Sequence, residues 1–239
     1  MAYESIIFDL GDTLIYQHPS QIQEYIEILK RMEIAVSHNK EIEMKLAIDE
    51  AANNQLAAEE INAVPRMSDN DFDLMTAIAA LKCVCPTLCE SDIHKFQSYM
   101  NKLQGKSKRT YEIAPDAVEV LSQIKQKGYR LAVVSNHEKW MLDFLCKVGL
   151  SKFFESIIIS SIVGFEKPQR QIMDCVLSEM NSAPHHCLYV GDHPFDVLCA
   201  KRVGMDVAWL TQPKSKLPKQ IPYKEDYRIS NLKALLDIL

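Results

Sequence analysis

The sequence predicts an α/β protein: a doubly wound parallel sheet with an all-helical segment inserted after its first strand. Three observations predict it. Short apolar runs bounded by turn residues recur through residues 1–16 and from 111 to 239. Amphipathic helical repeats lie between those runs. From residue 17 to 110 the texture changes, and helical periodicity continues without a convincing strand. Short apolar strands alternating with helices imply a parallel sheet covered on both faces.

The candidate strands are residues 5–8, 131–134, 157–160, 187–190 and 207–210. Ala117, Val120, Leu121 and Ile124 recur at helical spacing, and Gly128 stands past them as a stop. Met141, Phe144, Leu145 and Val148 repeat the pattern and stop at Gly149. Met173, Val176, Leu177 and Met180 repeat it again. Within the insertion, helices are expected over 20–36, 41–64, 68–82 and 91–103, with Ser68 as an N-cap. Residues 105–109, Gly-Lys-Ser-Lys-Arg, read as an exposed return linker, and Gly105 and the surroundings of Tyr16 as hinges. The expected organisation is a core domain of 1–16 and 111–239 and a helical domain of 17–110.

Composition narrows the function classes. With 239 residues, 47% of them hydrophobic, the chain can bury a sizeable core. The formal net charge is -5 and no long basic run occurs, which argues against nucleic acid as a partner. No apolar stretch reaches the roughly 18 residues of a membrane span. The N-terminus carries acidic residues where a secretion signal needs basic ones. A soluble, cytoplasmic protein is expected, with no membrane partner; no pattern specifies an oligomeric state. The seven cysteines suit reduced thiols. Cys83, Cys85 and Cys89 have metal-like spacing but lack the second pair of a structural zinc site, and are read as ordinary thiols.

In a parallel α/β sheet, ligands bind outside the carboxyl ends of the strands. Those ends carry Asp9, Ser135, Lys167 on a following loop, and Asp192 with Asp196. A carboxylate such as Asp9 can attack phosphorus and form an acyl-phosphate that water cleaves. Its charge opposes that of the phosphate, so cations are needed. Magnesium held by Asp9 and Asp192 would supply one, and Lys167 another. Ser135 would bind the transferring oxygens. Asp196, four residues past Asp192, can share its face and support the metal from outside. Asn136 and His137 are candidate phosphate or substrate neighbours, and His193 reads as a loop histidine.

The segments FDLGDTL, VVSN, GFEKP and GDHPFD, in that order, resemble the haloacid dehalogenase superfamily. The resemblance covers the whole sheet-forming part. It implies a Rossmann-like core, an Asp9 nucleophile, Ser135 and Lys167 as phosphoryl-binding catalytic residues, and Mg2+ as cofactor. It implies a small phosphorylated substrate, and makes the insertion similar to the family's helical C1 cap, which would close over the site and choose the substrate. It also implies a backbone carbonyl ligand at Gly11 and places Thr13 near the nucleophile. One departure matters. Phosphatases of this family carry a second Asp two residues after the nucleophile as general acid; here that position is Gly11, and Asp12 comes one residue late. Three readings therefore stand: a phosphatase with a substitute acid, good leaving groups or Asp12 on a locally altered loop; a metal-independent 2-haloacid dehalogenase; and a weakly active or inactive relative that binds a phosphorylated ligand or a protein.

Overall fold

The computed structural model describes residues 3–61, 69–104, 110–211, 217 and 221–239. Ser68 and the segment 105–109, with its expected hinge Gly105, lie outside them. The chain divides into two compact units. One comprises Met1–Tyr16, Tyr111–Leu217 and Ile221–Leu239, and the other is built on Gln17–Thr110.

The first unit opens with β1 (Ser5–Phe8), buried at every residue. A tight turn leads into β2 (Ile15–His18). The helical unit then supplies α1 (Gln21–Arg31), α2 (His38–Ile61), α3 (Asp69–Val84) and α4 (Glu90–Gln104). α1 begins with a capping box: Gln23 N donates to Ser20 Oγ at 3.3 Å, and Ser20 N to Gln23 Oε1 at 2.8 Å. That satisfies two donors the helix cannot pair itself. α1 ends at Arg31, short of the expected residue 36. Glu33 takes a left-handed φ of 64°, and Ile34 N donates back to Leu29 O at 2.9 Å. Such a stop without glycine leaves no mark on the hydrophobic period. The unit has its own core, where Tyr25, Ile28, Leu29, Met44, Leu81 and Phe96 pack together.

The first unit resumes at β3 (Thr110–Ile113), which pairs with β2 in a two-stranded ribbon. There follow α5 (Ala117–Gln126), β4 (Arg130–Ser135), α6 (Met141–Lys147), β5 (Ser156–Ile159), a one-turn α7 (Ser160–Val163) and α8 (Arg170–Met180). Then come β6 (Cys187–Gly191), α9 (Pro194–Val203), β7 (Asp206–Leu210) and β8 (Tyr227–Ile229). Gly128 and Gly149 end α5 and α6 at φ 91° and 74°, a region where a side chain is strained.

Among the described residues, six strands form one parallel sheet in the order β5-β4-β1-β6-β7-β8. The chain winds outward from β1 to β4 and β5, then returns to β6 on the other side. Side chains alternate between two apolar layers, as the strand period of two demands. Ile6 and Phe8 face α5 and α6, while Ile7 faces α8 and α9 with Ala132, Val134 and Tyr189. This is the predicted α/β, Rossmann-like fold.

β2, β3 and β8 are not among the expected strands. β8 is three residues long, lies at the sheet edge and carries Arg228, whose guanidinium lies over the Trp209 ring at 4.9 Å. Such a strand has no apolar run to betray it. Among the described residues, no helix is long and apolar enough to cross a membrane.

Candidate active site

β4, β1 and β6 are neighbours, so their carboxyl ends bring the expected residues together. Phe8 is level with Val133 on one side and Val190 on the other. Asp9 follows, its N–H donating to Val190 O at 2.9 Å. Ser135 ends the strand on one flank, and Asp192 follows the strand on the other. The winding direction reverses between β1 and β6, and at such a switch point α/β sheets leave a crevice for ligands.

The turn after Asp9 is tight. Leu10 O accepts from the N–H groups of Thr13, Leu14 and Ile15 at 3.3, 2.8 and 2.9 Å. Asp12 takes φ 50°, a left-handed conformation that Asp tolerates better than most residues. Thr13 is fully buried and donates from Oγ1 to Asp192 Oδ1 at 3.2 Å, tying this turn to the end of β6. A Cβ added at Gly11 would meet nothing within 4 Å.

Lys167 arrives on the loop between α7 and α8, and Asn136 holds that loop. Asn136 Nδ2 donates to Lys167 O at 2.8 Å, and Lys167 N donates to Asn136 Oδ1 at 2.7 Å. The carboxamide expected beside a phosphate is thus engaged with the lysine backbone. Lys167 Nζ donates to Asp9 Oδ1 at 2.5 Å, to Asp196 Oδ1 at 2.7 Å and to Tyr189 OH at 3.2 Å. An ammonium has three N–H bonds, and here all three have acceptors.

Asp196 is fully buried in the first turn of α9, where Oδ2 also accepts from His193 N at 2.9 Å. This carboxylate explains Gly191: a Cβ there would lie 2.3 Å from Asp196 Oδ2. His193 Nδ1 accepts from Phe195 N at 3.2 Å and caps the same helix. His137 points its ring into an aromatic cluster, 5.7 Å from Tyr111 and 5.2 Å from Trp140, and burial lowers its pKa. Ser135 is only 2% exposed, yet its hydroxyl has no hydrogen-bond partner among the described residues. A buried, unpaired hydroxyl is unfavourable, and a ligand oxygen would relieve it.

One oxygen each from Asp9, Asp192 and Asp196 lies within 4.8 Å of the others. Against these three carboxylates stands one ammonium, Lys167. Burial pushes the Asp9 pKa up to about 6, although Lys167 pulls it down. Burial, then the charges of Asp9, Asp196 and Asp12, hold the Asp192 carboxyl well above the usual carboxylate range. Burial works against the Lys167 ammonium, but Asp196 and Asp9 outweigh it and raise its pKa well above the ordinary value. Three carboxyl groups outnumber one ammonium, and burial and crowding push two of them toward the neutral form; such an all-oxygen donor set suits a hard divalent cation, which would let them ionise. Among the described residues no other group of three or more such side chains converges; Cys83, Cys85 and Cys89 stand as free thiols.

Two residues of the site escape sequence reasoning. Tyr189 contacts Lys167 and Asp196 from within β6, and Trp209 Nε1 donates to Asp192 O at 2.7 Å. The available signal was a hydroxyl-bearing aromatic inside a buried run, since a buried Tyr or Trp needs a polar partner.

A family model of haloacid dehalogenase-like hydrolases matches residues 6–210. A glyceraldehyde 3-phosphate phosphatase of Pyrococcus furiosus is 31% identical over 131 residues, covering 52% of this chain and 53% of that protein. The chain thus spans about half the length of that relative. The protein of the same name from Methanocaldococcus jannaschii is 26% identical over 242 residues, covering 99% of this chain and 96% of that one. Among solved structures, the magnesium-bound HAD-hydrolase YfnB of Bacillus subtilis covers 100% of this chain and 99% of its own, with TM-score 0.62 and 21% identity. That is a likeness of fold.

Proposed function

Because the chain belongs to the haloacid dehalogenase-like hydrolase family, we propose that it is a magnesium-dependent phosphatase of small phosphate monoesters, acting through an aspartyl-phosphate on Asp9. The observation that carries this reading is the buried Asp9–Lys167 pair at the sheet's switch point, beside Asp192 and a Ser135 hydroxyl that is unpaired among the described residues. The relatives named glyceraldehyde 3-phosphate phosphatase support a small phosphorylated substrate.

Asp9, Asp192 and the Gly11 carbonyl would hold Mg2+, with Asp196 supporting from outside. When bound, the ion offsets the repulsion between a carboxylate and a phosphate and stabilises charge on the phosphoryl oxygens. The Asp9 carboxylate attacks phosphorus; the bond from phosphorus to the ester oxygen breaks, and its electron pair leaves with that oxygen. Ser135 holds a phosphoryl oxygen, and the Lys167 N–H that bonds Asp9 turns to another as the Asp9 carboxylate gives its charge to the bond with phosphorus. Water then cleaves the acyl-phosphate, releasing orthophosphate and restoring Asp9. Asn136 serves by fixing the backbone of Lys167. Gly11 brings no proton, so the leaving oxygen draws one from solvent, which favours esters of acidic alcohols.

The test is turnover of an aryl phosphate with and without magnesium, beside Asp9→Asn. Wild type should need the metal, and the variant should lose roughly a thousandfold or more in rate. Equal turnover by both proteins would sink the nucleophile assignment. Wild-type inactivity on this and a panel of natural phosphoesters would favour the binding-protein reading. Metal-free halide release from a 2-haloacid would favour the dehalogenase.

A further inference from the structure

Tyr189 is a fully buried titratable group to which the mechanism above assigns no task. It sits on β6, level with Ile7 of β1, and β1 lies between β6 and β4. Even so, its hydroxyl lies 3.2 Å from Val134 O on β4. The side chain therefore crosses β1, on the sheet face it shares with Ile7. At the far end the hydroxyl also meets Lys167 Nζ at 3.2 Å and Asp196 Oδ1 at 3.3 Å.

A phenol oxygen accepts through its lone pairs and donates one proton. Here it accepts from Lys167 and offers its proton to Val134 O or Asp196 Oδ1. The Val134 carbonyl belongs to the same peptide as the Ser135 N–H. Through Val134 O, the nearer of these two acceptors, one atom joins the lysine to the peptide that carries the serine. We propose that Tyr189 is a positioning residue of this site, fixing the Lys167 ammonium and the Val134–Ser135 peptide in one frame.

The physical case lies in satisfying a buried ammonium. Bonds to Asp9 and Asp196 set the direction of the third N–H. The tyrosine hydroxyl is the acceptor that meets it there, and it holds the ammonium in that one setting. Phenylalanine at this position keeps the ring and the packing while removing only the oxygen. It would leave a Lys167 N–H short of an acceptor and the Val134 carbonyl short of a donor, both in a buried place.

The kinetic part of this proposal rests on the phosphatase reading; the structural part does not. Two measurements on the full chain separate them. In protein labelled with 15N-lysine, the Lys167 ammonium signal is identified by its loss in Lys167→Arg. It should be visible in wild type, where three acceptors slow exchange with water, and broadened or lost in Tyr189→Phe. With an aryl phosphate and magnesium, kcat of Tyr189→Phe should fall about tenfold to a hundredfold, as for a small misplacement of a positioned group. KM should move much less, because the same charge still meets the phosphate. A Tyr189→Phe protein that loses thermal stability but keeps both the ammonium signal and kcat would overturn the proposal and leave Tyr189 a packing residue. If wild type turns over no phosphoester, the phosphatase reading fails, and the ammonium signal alone decides whether Tyr189 positions Lys167.

Discussion

Asp9 stands between two opposed effects. Burial raises its pKa to about 6, while the Lys167 ammonium 2.5 Å away lowers it. The outcome is a carboxylate available near neutral pH in a site short of positive charge, which is what a divalent cation would complete. The weak point is the proton for the leaving group, and Gly11 is where it can be tested. A Cβ at residue 11 meets nothing within 4 Å, and its φ is not left-handed, so an aspartate fits there without strain. Gly11→Asp should therefore speed hydrolysis of alkyl phosphates by about a hundredfold, the middle of the range for general acid catalysis. It should barely change a nitrophenyl phosphate, whose leaving group needs no proton. Steady-state kcat/KM on the two substrates checks this; equal effects on both would mean that acid assistance does not limit the reaction. Asp9 and Asp192 were legible in the sequence because each stands just past a strand end, and Lys167 because of its Gly-Phe-Glu-Lys-Pro setting. Tyr189 was not, because between Leu188 and Val190 it looks like any buried aromatic, and only distances reveal what its hydroxyl reaches.

The loop that carries Lys167 has no regular hydrogen-bonding ladder of its own, and the end of β4 supplies one in miniature through Asn136. Two bonds of 2.7 and 2.8 Å replace the pairing a strand would give. Asn136→Ala should leave a buried N–H and C=O unpaired, costing about 1–3 kcal/mol of stability and lowering turnover. Urea denaturation and steady-state assays measure the two effects; no change in either would show the latch to be dispensable. Sequence reasoning noticed Asn136 but aimed it at the substrate, since a residue type next to Ser135 does not say which way its amide turns. The helices were readable in the same partial way. Periodicity located α5 and α6 with their glycine stops, and α8, which ends on a left-handed Asn181; it overran α1, because Glu33 provides a left-handed stop that no glycine announces.

At the scale of the molecule, two units with separate cores carry different information. The sheet unit gathers three carboxylates around one ammonium, and a bound cation should stabilise the whole chain by linkage. At about 100 times the dissociation constant the gain is about 2.7 kcal/mol. Magnesium should accordingly raise the melting temperature of wild type and leave that of Asp192→Ala unchanged; an equal rise in both would remove Asp192 from the ligand set. The sequence by itself determined the α/β class, the five apolar strands of the sheet and the residues at or beyond their ends, because hydrophobic period and turn chemistry are local properties. Only the tertiary structure decided that β4, β1 and β6 lie side by side, that Asn136 grips a loop 31 positions away, and that Tyr189 reaches across β1 to Val134. Parallel strands pair through long crossovers, so their order depends on which apolar faces can be buried together, and no short stretch of sequence encodes that choice.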